Sequence, residues 1–124
     1  MHRILIVDDD EMQLVALRIT LLSEGYTVYS TADGPQGIII YKEQRPDLVL
    51  LDIGLPTMSG IEVLEELRRL DQNVKVIVIT GYGSVESAVL AIRSGACDYL
   101  QKPYEVNVLL RKIESALDFS KSSN

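Results

Sequence analysis

Apolar residues fall in five short continuous runs, separated by longer stretches in which they recur at helical spacing. The first run, Ile4-Leu5-Ile6-Val7, gives way to a helical pattern from about Glu11 to Glu24 that Gly25 stops. Tyr26 to Thr31 alternates at Val28 and Ser30, which predicts a less buried edge strand. A second helix is expected from about Pro35 to Gln44, because proline suits a first helical turn. Gly37 weakens it by about 1 kcal/mol relative to alanine. Leu48-Val49-Leu50-Leu51 is the third strand and ends at Asp52; beyond the loop, Ser59 is the predicted N-cap of a helix through about Leu70. Val74 to Ile79 forms a fourth strand ending at Thr80-Gly81. Ser84 then starts a fourth helix that Gly95 stops. Asp98-Tyr99-Leu100 lies in the fifth strand, and a last helix runs from about Glu105 to Phe119.

Strict alternation of strand and helix predicts an α/β domain, a doubly wound parallel sheet with helices on both faces. The continuous Ile, Leu and Val runs agree, since a strand buried on both sides has no polar face. One domain over residues 1–119 is expected, with 120–124 as a polar tail or the start of a linker. The chain is acidic, at a formal net charge of −6, and no Lys/Arg run exceeds Arg68-Arg69. Direct nucleic-acid binding by this chain is therefore not expected. A hydrophobic fraction of 47% excludes disorder, and the single Cys97 excludes an internal disulfide or a multi-cysteine metal site. No 18-residue apolar run and no signal-peptide layout occur, so a cytoplasmic domain away from the membrane is expected.

In open parallel sheets, ligands bind beyond the carboxyl ends of the strands, near the reversal of strand order. Strand one ends in Asp8-Asp9-Asp10-Glu11, strand three in Asp52, strand four in Thr80, and strand five runs into Lys102-Pro103. A doubly wound fold gathers these ends, placing three carboxylates (Asp8, Asp9, Asp52), a hydroxyl and an ammonium in one pocket. Carboxylates that close need a cation, and hard oxygen ligands favour Mg²⁺ with room left for a phosphate oxygen. Mg²⁺ and the Lys102 ammonium together balance the three negative charges. A phosphoryl group would meet a metal, an ammonium and a hydroxyl there, and a carboxylate can be the nucleophile that forms an aspartyl phosphate. Asp52, on the central strand, is the best placed. Asp10 and Glu11 are expected to cap or begin the first helix. Cys97 reads as a small apolar residue at a strand start, and His2 carries no assigned role.

The set Ile6-Val7-Asp8-Asp9, Leu50-Leu51-Asp52, Leu55-Pro56, Gly60, Ile79-Thr80-Gly81, Gly95-Ala96, Asp98-Tyr99 and Lys102-Pro103 resembles the receiver domain of two-component response regulators. The resemblance runs from about residue 2 to residue 119. The stretch from Thr80 to Val89, with Ala91-Ile92 and Gly95-Ala96, is more specifically similar to receivers of the nitrogen-regulator type. It implies the flavodoxin-like strand order 2-1-3-4-5 with five helices. It also implies that Asp52 accepts a phosphoryl group from a sensor histidine kinase or phosphotransfer protein. Asp9 directly, Asp8 largely through water, Asp52 and the backbone carbonyl of Gly54 would hold Mg²⁺, for which Mn²⁺ can substitute. Lys102 would pair with a phosphate oxygen, Thr80 would swing to bond another, and Tyr99 would turn into the space Thr80 vacates. The Lys102–Pro103 bond is expected to be cis, an isomer that X-Pro bonds alone adopt at low cost. Gly54 and Tyr82, each two residues beyond a site residue, border the path of a hydrolytic water, and Tyr104 stands where Phe is more usual.

Two rival chemistries fit less well. A phosphohydrolase with an aspartate nucleophile would carry an acid two residues later, where Gly54 stands. A binder of a phosphorylated cofactor would place a Gly/Ser/Thr-rich loop after strand one, where Asp8 to Glu11 repel a bare phosphate. An unphosphorylated, degenerate receiver is disfavoured because all five site positions are intact. The outward route of a signal is expected along helix four, strand five and helix five. On helix four, Val85, Ala88, Val89 and Ile92 are expected to be buried and Leu90 exposed. On helix five, Val106, Leu109, Leu110, Ile113 and Leu117 are expected inside and Val108 outside. Leu90 and Val108 would then offer a partner surface or a phosphorylation-dependent homodimer contact. Helix one carries two stripes, Leu14-Leu17-Leu21 and Met12-Val15-Ala16-Ile19-Leu22. One must face the sheet, and the other packs on the last helix or meets a partner.

Overall fold

Strands that are apolar on both sides need helices over both faces of the sheet, and the chain supplies them in strict alternation. The computed structural model describes residues 2–54, 59–81 and 85–122, with residues 85 and 119–122 as backbone only. In order they form β1 (Arg3–Val7), α1 (Glu11–Ser23), β2 (Thr27–Thr31), α2 (Gly34–Gln44) and β3 (Leu48–Leu51). Then follow α3 (Gly60–Leu70), β4 (Val76–Thr80), α4 (Val85–Arg93), β5 (Asp98–Gln101) and α5 (Val106–Ser122). The strands are parallel in the order β2-β1-β3-β4-β5. The expected start of α4 at Ser84, together with Leu55, Pro56 and Tyr82, lies outside the described residues. The last helix continues three residues beyond the expected Phe119.

Strand alternation divides the interior in two. Leu5, Val7, Val49, Leu51, Val76 and Val78 face α2 and α3, where Ile38, Tyr41, Val63, Leu64 and Leu67 meet them. Ile4, Ile6, Leu48, Leu50, Ile77 and Ile79 face α1 and α5, where Leu14, Leu17, Leu21, Leu109, Ile113 and Leu117 close the second core. Each largely hidden Leu or Ile contributes about 1.5–3 kcal/mol. The edge strand β2 is half-buried throughout. No described helix is long and apolar enough to cross a membrane.

Helix ends follow the local chemistry. The Asp10 carboxylate accepts from the amides of Met12 (3.0 Å) and Gln13 (3.3 Å), so it caps α1. Asp33 caps α2 and Ser59 caps α3 in the same way. Gly25 and Gly95 leave their helices at φ +91° and +111°, where a side chain would be strained. Gly37, which weakens α2 as an isolated helix, is buried. A Cβ there would lie 2.9 Å from Val7 Cγ2, so glycine lets the helix settle on β1.

The outer surfaces depart from expectation in several places. The stripe of Met12, Val15, Ile19 and Leu22 on α1 does not pack on α5; it is exposed, Met12 to 83%. On α4 the anchor is Ala91, fully buried, with Ala88 half-buried, whereas Val89 and Ile92 are exposed. A helix seated against β5 through small residues is covered along a narrow strip only, which turns the larger side chains outward. On α5 the buried row is Leu109-Ile113-Leu117, flanked by Val108, Leu110 and Ala116 packed against the core. Val108 is therefore not an outside residue. Val106 is exposed instead, because its turn stands at the mouth of a groove shared with Ala16 and Pro103. Cys97 is exposed just before β5 rather than packed as an apolar strand start. Desolvation and the neighbouring Asp98 charge push its thiol up from the ordinary value, which keeps it protonated at neutral pH.

One polar contact ties α2 to the end of α3: the Tyr41 hydroxyl donates to Asp71 Oδ2 at 2.9 Å. Burial, then Asp71, pushes Tyr41 up to about 12. The Asn73 amide, then Tyr41, holds Asp71 below its ordinary value of 3.8. The Asp71 contribution to stability is thus present above pH 3.8 and lost as the pH falls through its lower folded value; that of Tyr41 is present below pH 10 and lost as the pH rises through about 12. Tyr41→Phe should lower the unfolding free energy at pH 7 by about 1 kcal/mol in urea denaturation, and the gap should narrow in acid.

Candidate functional site

Register places the acidic residues. Val7 of β1 pairs with Leu51 of β3, so Asp8 and Asp52 step off adjacent strand ends side by side. Asp52 donates its amide to the Val7 carbonyl (2.9 Å), and Asp8 donates to that of Thr31 (3.1 Å). Thr80 ends β4 opposite Gln101 of β5, and the Lys102 amide donates to the Thr80 carbonyl at 2.8 Å. Asp8, Asp52 and Thr80 are buried, whereas Asp9 is exposed at the rim. Carboxylate oxygens of Asp8, Asp9 and Asp52 lie within 4.8 Å of one another.

Lys102 Nζ donates to Asp8 Oδ2 at 3.0 Å and to Asp52 Oδ2 at 3.3 Å. The second oxygen of each carboxylate accepts a backbone amide from two residues on: Asp10 to Asp8 Oδ1 and Gly54 to Asp52 Oδ1, both at 2.9 Å. The two buried acids are thus held alike, between one shared ammonium and their own following turns. Like charges at this spacing repel by about 3 kcal/mol per pair at an effective dielectric constant of about 20. One ammonium among three carboxylates leaves two negative charges over, a match for a divalent cation with oxygen ligands. Burial pushes the Asp8 carboxyl up, against the Asp10 amide and Lys102, which pull it down. For Lys102, burial disfavours the ammonium, but the bond to Asp8 and the charge of Asp52 outweigh it and raise the group.

Tyr99 pairs with Val78 on β4 and packs against the core beneath α2 and α3. Its hydroxyl oxygen is buried and has no hydrogen-bond partner among the described residues; a buried hydroxyl left unpaired costs about 1–3 kcal/mol. The Lys102–Pro103 peptide bond is cis. Leu90, on the outer face of α4, stands outside the pocket, half its surface exposed.

Gly60 has a part in the site that composition and pattern do not reveal. Its amide donates to the Ile53 carbonyl at 3.1 Å, and a Cβ would lie 2.2 Å from Ile53 Cα and 2.7 Å from the Asp52 carbonyl oxygen. The first turn of α3 therefore presses directly on the backbone that follows Asp52. Besides its place in the family resemblance, the hint in the sequence is a glycine just after an N-cap serine, where alanine is the better helix former.

A doubly wound sheet with an acidic, lysine-bridged pocket at its carboxyl ends is the architecture of a receiver-type signalling domain. The chain belongs to the response regulator receiver domain family, which it matches over residues 4–114. It is 36% identical over 118 residues to the chemotaxis protein CheY of Bacillus subtilis, covering 94% of this chain and 98% of CheY. It is 40% identical over 116 residues to the DNA-binding response regulator MtrA of Mycobacterium tuberculosis, covering 94% of this chain but 50% of MtrA. Among solved structures, a CheY-like receiver domain of Methanospirillum hungatei superposes with a TM-score of 0.94 at 38% identity, covering 100% of this chain and 99% of that one. NtrX of Brucella abortus superposes at 0.92 with 32% identity, covering 98% of this chain and 28% of NtrX. The chain thus spans nearly all of CheY and about half of MtrA.

Gly60→Ala should lower stability by about 1–3 kcal/mol through overpacking, read by urea denaturation. That is opposite in sign to the gain of about 1 kcal/mol the same change brings in a free helix.

Proposed function

We propose that this domain is a switch set by transfer of a phosphoryl group to Asp52 from the phosphohistidine of a sensor kinase or phosphotransfer protein. The observation that carries the reading is the Lys102 bridge between Asp8 and Asp52, in a pocket two negative charges from neutrality. An Asp52 carboxylate oxygen attacks phosphorus while the P–N bond to the donor imidazole breaks; the bonding pair leaves on the imidazole. Asp9, Asp52 and the Gly54 carbonyl would ligate Mg²⁺ directly and Asp8 through water, and the three clustered carboxylates fit that role. Bound there, Mg²⁺ neutralises charge on the transferring oxygens.

Lys102 then exchanges its contact with Asp52 for one with a phosphate oxygen, and the Thr80 hydroxyl donates to another. Tyr99, whose buried hydroxyl has no partner among the described residues, turns into the room left by Thr80. The loop after β4 moves with Thr80, so α4, β5 and α5 form the face that reports the change to an output domain or partner. Gly54 offers no acid for protonating an external leaving group, which favours self-modification over turnover. The exposed α1 stripe, Met12-Val15-Ile19-Leu22, has the three-four-three spacing that packs on other helices, and it borders the groove beside Lys102. It is read as the docking face for the helices of a phosphodonor. Residues 1–119 are taken as the receiver unit, placed in the cytoplasm.

Acetyl phosphate with Mg²⁺ should add one base-labile phosphoryl group to the wild type and none to Asp52→Asn. Asp9→Ala should weaken Mg²⁺ binding by about tenfold or more, as loss of a ligand charge requires. NMR should show shifts at residues 8–10, 52 and 80 on adding Mg²⁺. A phosphopeptide mapping to Ser, Thr or His, or no shift at those residues, overturns the reading.

A further inference from the structure

The amino ends of the strands carry a cavity of about 600 Å³, at the opposite edge of the sheet from the acidic pocket. It lies between the end of α3, the approaches to β4 and β5, and the later turns of α5. Val74, Gly95 and Ala116 give it an apolar wall, and Arg68 and Lys75 bring two cations to it. A volume of this order suits a small organic molecule, for which sites run from roughly 300 to 1,000 Å³.

Arg68 is held in place at the wall. Its stem lies across Gly95, where a Cβ would stand 2.7 Å from Arg68 Cδ, so a larger residue there would displace the arginine. Its Nη1 donates to the Gln72 carbonyl at 3.1 Å. A guanidinium has several further N–H donors, so this bond fixes the head without exhausting it. Among the described residues neither Arg68 nor Lys75 enters an ion pair, although the chain has 18 acids to 12 bases. Asp98, the acid on the wall, is taken by Lys112 at 3.0 Å. Asp71, just after α3, spends one oxygen on the Tyr41 hydroxyl and the other on the Asn73 amide. The cavity therefore holds a surplus of positive charge in a chain of net charge −6.

We infer that this cavity is a second binding site, for an amphipathic organic anion. A carboxylate or phosphate group is held by Arg68 and Lys75, and the apolar body to which it is joined lies on Val74, Gly95 and Ala116. A guanidinium fork beside an ammonium suits the oxygens of either head group. The site is separate from the acidic pocket: β4 alone runs four residue steps from Val76 to Thr80, about 13 Å. An anion at the cavity does not compete with one at Asp52, and the inference does not rest on the chemistry there.

The test uses Cys97, the single cysteine of the chain, which stands exposed on the cavity wall. Its alkylation by iodoacetamide, a neutral reagent, is followed in EDTA, where no Mg²⁺-dependent transfer takes place. The probes are 2-naphthoate, 2-naphthyl phosphate and the uncharged 2-naphthalenemethanol, and each protein's rate is taken relative to its own rate without probe. At least one anion should protect Cys97, and the one that protects at lower concentration identifies the head group. Lys75→Met and Arg68→Met should each raise the half-protecting concentration about tenfold, the loss of one charge-assisted bond. The alcohol should protect more weakly, and equally in all three proteins. NMR shifts on adding the anion should centre on residues 72–76, 95–98 and 115–116. Equal urea midpoints show that the variants are folded; if Arg68→Met falls short, Lys75→Met carries the comparison alone. No protection by either anion overturns the inference, as does an alcohol that protects equally well or a Lys75→Met that matches wild type.

Discussion

Repulsion among three carboxylates at the end of a buried sheet is the constraint around which the domain is arranged. Such a cluster is unfavourable unless positive charge is held within hydrogen-bonding reach, and the chain brings that charge from the far end of its sequence. Lys102 follows the last strand, Asp8 the first and Asp52 the middle one, and only the order β2-β1-β3-β4-β5 makes them neighbours. The ammonium restores part of the balance, and the remainder is the demand the pocket makes on its surroundings. Topology and electrostatics are therefore one argument: the fold builds a charge deficit, and that deficit defines what can enter.

The backbone enforces the arrangement as much as the side chains do. Each buried carboxylate is pinned by the amide two residues further on, so Asp8 and Asp52 cannot rotate away from each other. Glycines at two helix starts bring the protein close behind them, Gly37 against Val7 and Gly60 against Ile53. Both positions give up helix propensity for proximity, and each presses on a residue next to an acid of the site, Val7 before Asp8 and Ile53 after Asp52. Tyr99 shows the opposite economy, a hydroxyl buried without a partner among the described residues.

The strands and the pocket were legible in the sequence because both depend on position along the chain. An uninterrupted Leu48-Val49-Leu50-Leu51 has few homes other than a central parallel strand, and the polar residue that ends it must lie at the sheet's edge. The N-caps were equally plain, since Asp10 and Ser59 act on amides two or three residues away. The outer helix faces were harder to read. Periodicity finds an apolar stripe but not which stripe the sheet accepts. On α4 the small Ala91 was chosen over the larger Val89 and Ile92, and on α5 Val108 fell inside while Val106 fell outside. Gly60 was visible as a letter in a motif, but its contact with Ile53 is tertiary and has no signature in local pattern.

The exposed apolar positions of α1 and α4 contribute nothing to either core and do not touch the acidic pocket. Substitutions there are nearly free of consequence for folding and for the reaction, so these surfaces can drift while the strand ends stay constrained. After duplication of such a domain, two copies could retain the same chemistry and diverge in whom they recognise, each insulated from the other's partners by a few residues on two helices. The separation of the acidic pocket from expendable outer faces thus allows many parallel signalling lines to be built from a single architecture without crossing.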